Sequence, residues 1–298
     1  ITCEDALGRY VVFLKNTVPK LMNFRGMKIV VDCAHGAAYR AAPAVFDELG
    51  ADVWAIGVNP DGANINKLCG SLHPELISQE VRRTGANIGI ALDGDADRAI
   101  FADENGNEVD GDQIMGLIAW DMMRSGKLSH NTVVATVMSN MGLEVALKEM
   151  GASLVRTPVG DRYVVERMRL DGLNFGGEQS GHLIFLDHST SGDGILSALQ
   201  VMRVMTDTGK PLSELVSRMR KFPQVMRNVG VRERKNLDEV PEVSKVIQAC
   251  TASLGESGRL LVRYSGTQLL CRVMAEGEDE EQVNATVDMV SDAISRNL

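Results

Sequence analysis

Three aspartates at alternate positions, Asp93, Asp95 and Asp97, close an apolar run in the stretch IALDGDADRAIF and are followed at once by Arg98. Residues two apart on an extended chain point the same way, so the three carboxylates repel one another unless a cation neutralises them. An all-oxygen, acidic donor set suits a hard ion such as Mg²⁺. Arg98 beside it would hold a phosphate. The same rhythm of acids opens an EF-hand loop, with Glu104 in the twelfth place, but Arg98 stands where that loop needs glycine and the flanks read as strands. The bland alternative is a solvated acidic turn. The apolar run that leads in, the tight spacers and the immediate arginine weigh against it.

Three further stretches carry groups able to bind a polar ligand. GGEQSGH sets glycines around Glu178, Ser180 and His182, short hydrogen-bonding groups suited to sugar hydroxyls, although alone it reads equally as a glycine-rich turn with a core histidine. RYSGTQ offers Arg263, two hydroxyls and a glycine in a turn between strands, with Arg272 on the following strand. A backbone nest with a guanidinium is a natural phosphate clamp, and the competing reading is a plain hairpin turn. TPVGDRYV contributes Arg162 at a helix start, where a phosphate is also favoured.

Strand-like runs alternate with amphipathic helical ones through the first two thirds of the chain: MKIVVDCA, AAPAVFDELG, ADVWAIG, PELISQEVRRTG and ANIGIALD, then NTVVATVMS, GLEVALKEMG, ASLVRTPVG and DRYVVERMRLDG. Alternation of this kind predicts βαβ units and mostly parallel sheets. Past Pro223 the pattern changes to the strand NVGVRERK, the helix EVSKVIQACTASLG, two strands and a last helix, a smaller α+β domain. The two α/β stretches also match each other. In both DGDADRAIFADENGNEVDGDQI and GEQSGHLIFLDHSTSGDGI a polar loop leads to Ile-Phe-x-Asp, then to Gly-Asp-x-Ile opening a helix, so that Arg98 corresponds to His182. Equivalent loops at equivalent strand ends would face one cleft. The expected fold is therefore two similar three-layer α/β domains with mixed sheets, followed by a smaller α+β domain, with boundaries at 1–109, 110–223 and 224–298.

The 298 residues carry a formal net charge of −9, which argues against nucleic acid or an anionic membrane as the main partner. The five cysteines, Cys3, Cys33, Cys69, Cys250 and Cys271, are widely spaced with no CxxC pair, so neither a disulfide framework nor a zinc site is indicated and a reducing cytoplasm fits. No apolar run approaches the length of a bilayer-spanning helix. The opening ITCEDALGRYVVFLKNTV has no initiator methionine and looks like the middle of a helical segment, as expected of a fragment.

DGDADR, GEQSGH and RYSGT, in this order and each in its own domain, resemble the α-D-phosphohexomutase superfamily. NINKLCGSLHPE, TPVGDRYV and the glutamine of GEQSGH are most similar to those members that act on glucosamine phosphates. Members acting on glucose or mannose phosphates, or a sugar-phosphate-binding protein without catalysis, are the alternatives. The resemblance covers nearly the whole chain and implies four domains around one cleft, of which the first, bearing a phosphorylated serine that helps hold Mg²⁺, has no counterpart here. It implies Asp93, Asp95 and Asp97 as Mg²⁺ ligands, Arg98 beside the transferring phosphoryl group and His182 close to the reacting oxygen. Glu178 and Ser180 would grip sugar hydroxyls, and Arg263, Ser265, Gly266 and Thr267 would hold the phosphate that is not transferred. The implied partners are a phosphorylated amino sugar, its 1,6-bisphosphate and the missing amino-terminal domain. Gln268 and Leu269 stand where the family commonly has Glu-Pro, which puts the stiffness and charge of that turn in question.

Overall fold

The computed structural model describes residues 5–266 and 268–298. They form two compact units, one taking in the chain to Ser139 together with Leu143–Arg220, the other Asn140–Gly142 together with Lys221–Leu298.

The first unit opens with α1 (Ala6–Lys15), β1 (Lys28–Asp32), α2 (Ala41–Glu48), β2 (Asp52–Ile56), α3 (Pro74–Thr84), β3 (Ile88–Leu92), β4 (Ala99–Ala102) and β5 (Glu108–Val109). The sheet order is β2-β1-β3-β4-β5; β1 runs parallel to β2 and β3, while β4 is antiparallel to β3 and β5. Alternation along the strands makes the layers. Ile29 and Val31 of β1, with Ile88, Ile90 and Leu92 of β3, face the main core, whereas Val30 and Ala91 pack with Ile77 and Val81 of α3 on the opposite face.

Next come α4 (Gly111–Arg124), β6 (Thr132–Thr136), α5 (Met141–Glu149), β7 (Ser153–Thr157), α6 (Asp161–Asp171), β8 (Phe175–Gly177), β9 (Leu183–Phe185), α7 (Gly194–Thr208) and α8 (Leu212–Val216). The order β7-β6-β8-β9 repeats that of the first sheet, with the same parallel-then-antiparallel change at its last strand. Val133, Ala135, Phe175 and Leu183 of this sheet share the main core with β1 and β3, through residues of α4 and α7. That common core makes one compact unit of two α/β stretches.

Arg98 and His182 each stand immediately before the antiparallel strand, β4 and β9 respectively, as the internal match expects. The register of the following helices differs from that match by two residues. The helix caps are Asp110 and Asp193, whose carboxylates accept backbone N–H groups of the first turn, so Gly111 corresponds to Gly194.

In the second unit β10 (Gln224–Gly230), β12 (Leu270–Gly277) and β11 (Gly258–Tyr264) lie in that order, all antiparallel, with α9 (Pro241–Leu254) and α10 (Glu280–Asn297). Val283, Val287, Val290 and Ile294 form one buried stripe along α10 against Val273 and Ala275 of β12. The first strand lies earlier than NVGVRERK suggests. Its partner β12 is exhausted at Leu270, and beyond Gly230 the chain turns away, Val231 donating to the Leu269 carbonyl and Arg232 to that of Leu298.

Candidate functional site

The loops that end the parallel strands of the first unit lie at the carboxyl edges of its sheets, where open α/β sheets bind ligands. Asp93 follows β3 and is buried, Asp95 is exposed and Asp97 is half-buried; one oxygen from each lies within 4.8 Å of the others. Arg98 closes the loop from inside. Its backbone N–H donates to Asp93 Oδ1 at 3.2 Å, and its Nε lies 2.8 Å from Asp93 Oδ2 and 3.3 Å from Asp97 Oδ1. Burial pushes the Asp93 carboxyl up to about 6; the Arg98 N–H and guanidinium oppose the rise, and Asp97 and Asp95 add to it. One guanidinium against three crowded carboxylates leaves a net negative, oxygen-only site, which fits a hard divalent ion. Glu104 takes no part: it accepts the backbone N–H and hydroxyl of Ser213, which removes the EF-hand reading.

A second anchor comes from β1. Buried Asp32 accepts the N–H groups of Ala34 (2.9 Å) and Gly70 (2.7 Å), and the turn it shapes brings Ala37 N–H to the Gly94 carbonyl of the acidic loop at 2.8 Å.

The loop after β8 is interlocked with the acidic loop. His182, 6 % exposed, places Nδ1 3.2 Å from Asp97 Oδ2, and its Nε2 has no hydrogen-bond partner among the described residues, the Asp161 carboxylate lying 4.0 Å away. The Ala99 N–H donates to the Gly181 carbonyl at 3.2 Å. Gly181 has φ +88°, and a Cβ there would overlap the Ala99 carbonyl oxygen, so the close approach requires glycine. Glu178 accepts the Gly160 N–H at 3.0 Å, with the exposed Ser180 hydroxyl 3.3 Å from its other oxygen. Arg162 begins α6 on the exposed side; its guanidinium lies 4.7 Å above the Tyr163 ring and donates to the Tyr163 hydroxyl at 3.0 Å.

In the second unit Arg263 lies within β11, not in the turn itself, directly across from Arg272 of β12. Like charges so opposed are unfavourable. Burial and the Arg272 charge together hold Arg263 below its ordinary range, and Arg272 Nε is buried without a hydrogen-bond partner among the described residues. An anion would neutralise both. The turn is closed by Ser265 N–H to the Leu270 carbonyl (2.8 Å) and Gln268 N–H to Ser265 Oγ (3.3 Å), and Arg234 braces it by donating to the Gly266 and Gln268 carbonyls at 3.4 and 2.9 Å. Thr267 lies outside the described residues. A cavity of about 570 Å³ beside the turn is lined by Arg234, Lys235 and Arg263 among others.

Within the first unit the structure thus brings together Asp93, Asp95, Asp97, Arg98 and His182, with Glu178 and Ser180 on the adjoining loop; Arg263, Ser265, Gly266 and Arg272 gather in the second. Asp32, Asp161 and Asp193 escape a reading from sequence, as does Tyr10, whose hydroxyl donates to Asp193 at 2.7 Å across 183 positions. The helix-capping pattern at Asp193 is the one signal among them.

Models of the phosphoglucomutase/phosphomannomutase family match three successive segments: alpha/beta/alpha domain II over residues 9–106, alpha/beta/alpha domain III over 110–222 and the C-terminal domain over 226–293. The phosphoglucosamine mutases of Syntrophotalea carbinolica and Geotalea daltonii are 56 % and 57 % identical over 295 residues, 99 % of this chain and 65 % of theirs. The chain therefore spans about two thirds of the length of these relatives. Among solved structures, a phosphoglucomutase/phosphomannomutase family protein from Burkholderia thailandensis shares the fold with a TM-score of 0.79 at 20 % identity, covering 98 % of this chain and 64 % of that one. The Aspergillus fumigatus N-acetylphosphoglucosamine mutase, solved with GlcNAc-6P and magnesium, gives 0.75 at 22 % identity, covering 97 % and 69 %.

Proposed function

The chain belongs to the phosphoglucomutase/phosphomannomutase family, and on that premise we propose that it supplies the metal-holding, sugar-reading and phosphate-holding loops of a phosphoglucosamine mutase. The whole protein interconverts glucosamine 6-phosphate and glucosamine 1-phosphate through a phosphoserine and a 1,6-bisphosphate, toward UDP-N-acetylglucosamine. The names of relatives at 55–57 % identity support the amino-sugar substrate. We divide the chain into a metal domain over 1–109, a sugar domain over 110–223 and a phosphate domain over 224–298, and place the protein in the cytoplasm. Among the described residues no helix is long and apolar enough to cross a membrane.

Asp97 carries the reading, because one carboxylate is joined both to Arg98 at 3.3 Å and to His182 at 3.2 Å, tying the acidic loop to the sugar loop. Phosphoryl transfer depends mostly on positioning and charge neutralisation. Asp93, Asp95 and Asp97 would hold Mg²⁺, which supplies that neutralisation when bound. The Nε of Arg98 is engaged with the carboxylates, leaving its terminal nitrogens for the oxygens of the moving phosphoryl group. Asp97 fixes the His182 ring at Nδ1, so Nε2 is the atom set to exchange a proton with the reacting sugar hydroxyl. Glu178 and Ser180 grip neighbouring hydroxyls. Arg263, Arg272 and the Ser265–Gly266 turn hold the second phosphate, with Thr267, and Arg162 adds positive charge at the start of α6.

The test is turnover of glucosamine, glucose and mannose 6-phosphates by the whole protein. A preference of at least about tenfold in kcat/KM for the amino sugar is expected, the discrimination a site gains when its polar groups are matched to the substrate. Equal or faster turnover of glucose or mannose phosphates would assign the chain to another branch of the family.

A further inference from the structure

We propose that Tyr10 and Asp193 form a positioning pair that sets the shape of the metal-holding loop, an inference that rests on the reading of Asp93, Asp95 and Asp97 as metal ligands. Asp193 caps α7 with one oxygen only: Oδ1 accepts the N–H groups of Ile195 (3.0 Å) and Leu196 (2.9 Å). A helix cap needs no more than that. The second oxygen, Oδ2, accepts the Tyr10 hydroxyl at 2.7 Å from α1, a helix held to the core by Val11 and Leu14. The phenol therefore fixes the rotation of the carboxylate and, with it, the turn 192–194.

That turn touches both loops of the site. Gly194 N–H donates to the Ala96 carbonyl at 2.9 Å, between the ligands Asp95 and Asp97. Ala96 has φ +64°, a left-handed conformation that a residue with a Cβ adopts only at an energetic cost. An outside partner that holds its carbonyl stabilises the conformation and hence the direction of the flanking carboxylates. On the other side of the turn, a Cβ at Gly192 would overlap the His182 ring, so the turn packs directly against the imidazole. Tyr10, Asp193, Asp95 and Asp97 also line one cavity of about 380 Å³, which places the latch on the wall of the site and not in a distant core.

The experiment titrates Mn²⁺, a spectroscopically visible stand-in for Mg²⁺, into the full chain and reads the free ion by electron paramagnetic resonance, with thermal unfolding measured in parallel. Tyr10→Phe removes one hydrogen bond to a charged group and is expected to weaken Mn²⁺ about fivefold, part of the roughly tenfold or more that such a bond is worth. Val11→Ala, a buried neighbour on the same helix, should lower Tm and leave Mn²⁺ affinity unchanged. Asp193→Asn keeps an oxygen for the cap and an amide able to bond the phenol, and should stay within about twofold of the parent, whereas Asp193→Ala should fall with Tyr10→Phe. Unchanged Mn²⁺ affinity in Tyr10→Phe, or an equal loss in Val11→Ala, would overturn the inference alone. A parent chain whose Mn²⁺ binding is absent or is unaffected by Asp95→Asn would overturn the metal reading and the inference with it.

Discussion

Replacing Asp95 with asparagine should make the chain hold metal less well while leaving it no less stable without metal. The three carboxylates present oxygens within 4.8 Å of one another, with Arg98 paired to Asp93 and Asp97 but not to Asp95. Two unit charges at that separation repel by about 0.9 kcal/mol at the dielectric of water and about 3.5 kcal/mol at an effective value of 20. Asp95 is exposed, so the lower figure applies and solvent screens it further. Without metal, then, Asp95→Asn gains on the order of 0.5–1 kcal/mol, or about 1–4 °C in Tm for a unit of this size. With metal the balance reverses, because the lost charge was a ligand; even partners behind the ligands cost about 10–100-fold in affinity when removed, so a loss of at least tenfold is expected. Thermal unfolding over a series of Mg²⁺ concentrations separates the two effects, since ligand-induced stabilisation follows mass action. A variant that is destabilised without Mg²⁺ by more than about 1 kcal/mol, or that retains the full Mg²⁺-induced rise, would refute the assignment of Asp95.

The interlock of the two loops predicts that Gly181→Ala loses about 2–4 kcal/mol in urea unfolding, from the left-handed backbone and the overlap with the Ala99 carbonyl; a variant as stable as the parent would contradict it. Arg263→Ala should weaken calorimetrically measured binding of sugar phosphates by roughly 1.5–3 kcal/mol and barely affect an unphosphorylated analogue, equal losses counting against a phosphate role. Burial, then the charge of Asp32, pushes the Cys33 thiol up to about 12, and burial pushes Cys271 up to about 11, with Cys69 and Cys250 also raised. At pH 8 the Cys33 and Cys271 thiols carry very little thiolate, so a disulfide reagent should reach them only on unfolding or as pH rises toward those values; fast labelling of either in the folded chain at pH 8 would disagree.

What could be read from the sequence was whatever depends on local pattern. The apolar runs at β1, β3 and β6 and the repeated order of elements in the two α/β stretches are local or periodic signals, and all appear in the structure. The strand expected over NVGVRERK is misplaced because its bounds depend on where its partner β12 ends, not on its own alternation. The two-residue difference between the helix starts after β5 and β9 has a similar origin: Gly-Asp-x-Ile recurs in sequence, but capping selects Asp110 in one copy and Asp193 in the other. At the site, the acidic triad was legible as a cluster because its spacing forces proximity. Its supports were not. Asp32 reaches the loop through the turn at Ala37, and Tyr10 meets Asp193 across 183 positions, contacts that only the folded chain creates.

The most direct test of the central claim is phosphorus NMR of glucosamine 6-phosphate with Mg²⁺ and a 1,6-bisphosphate primer. It compares the purified 298-residue chain with the same chain fused to the amino-terminal segment of a relative that carries the family's serine loop. Ser129-His130-Asn131 shares its three residues with the centre of Thr-Ala-Ser-His-Asn-Pro, but it leads into β6 at the amino end of that strand, whereas the acidic loop and the His182 loop lie at the carboxyl ends. No glucosamine 1-phosphate is therefore expected from the chain alone, and sustained turnover is expected from the fusion. Sustained conversion by the chain alone would contradict this, and would require a phosphoryl donor among the chain's own residues.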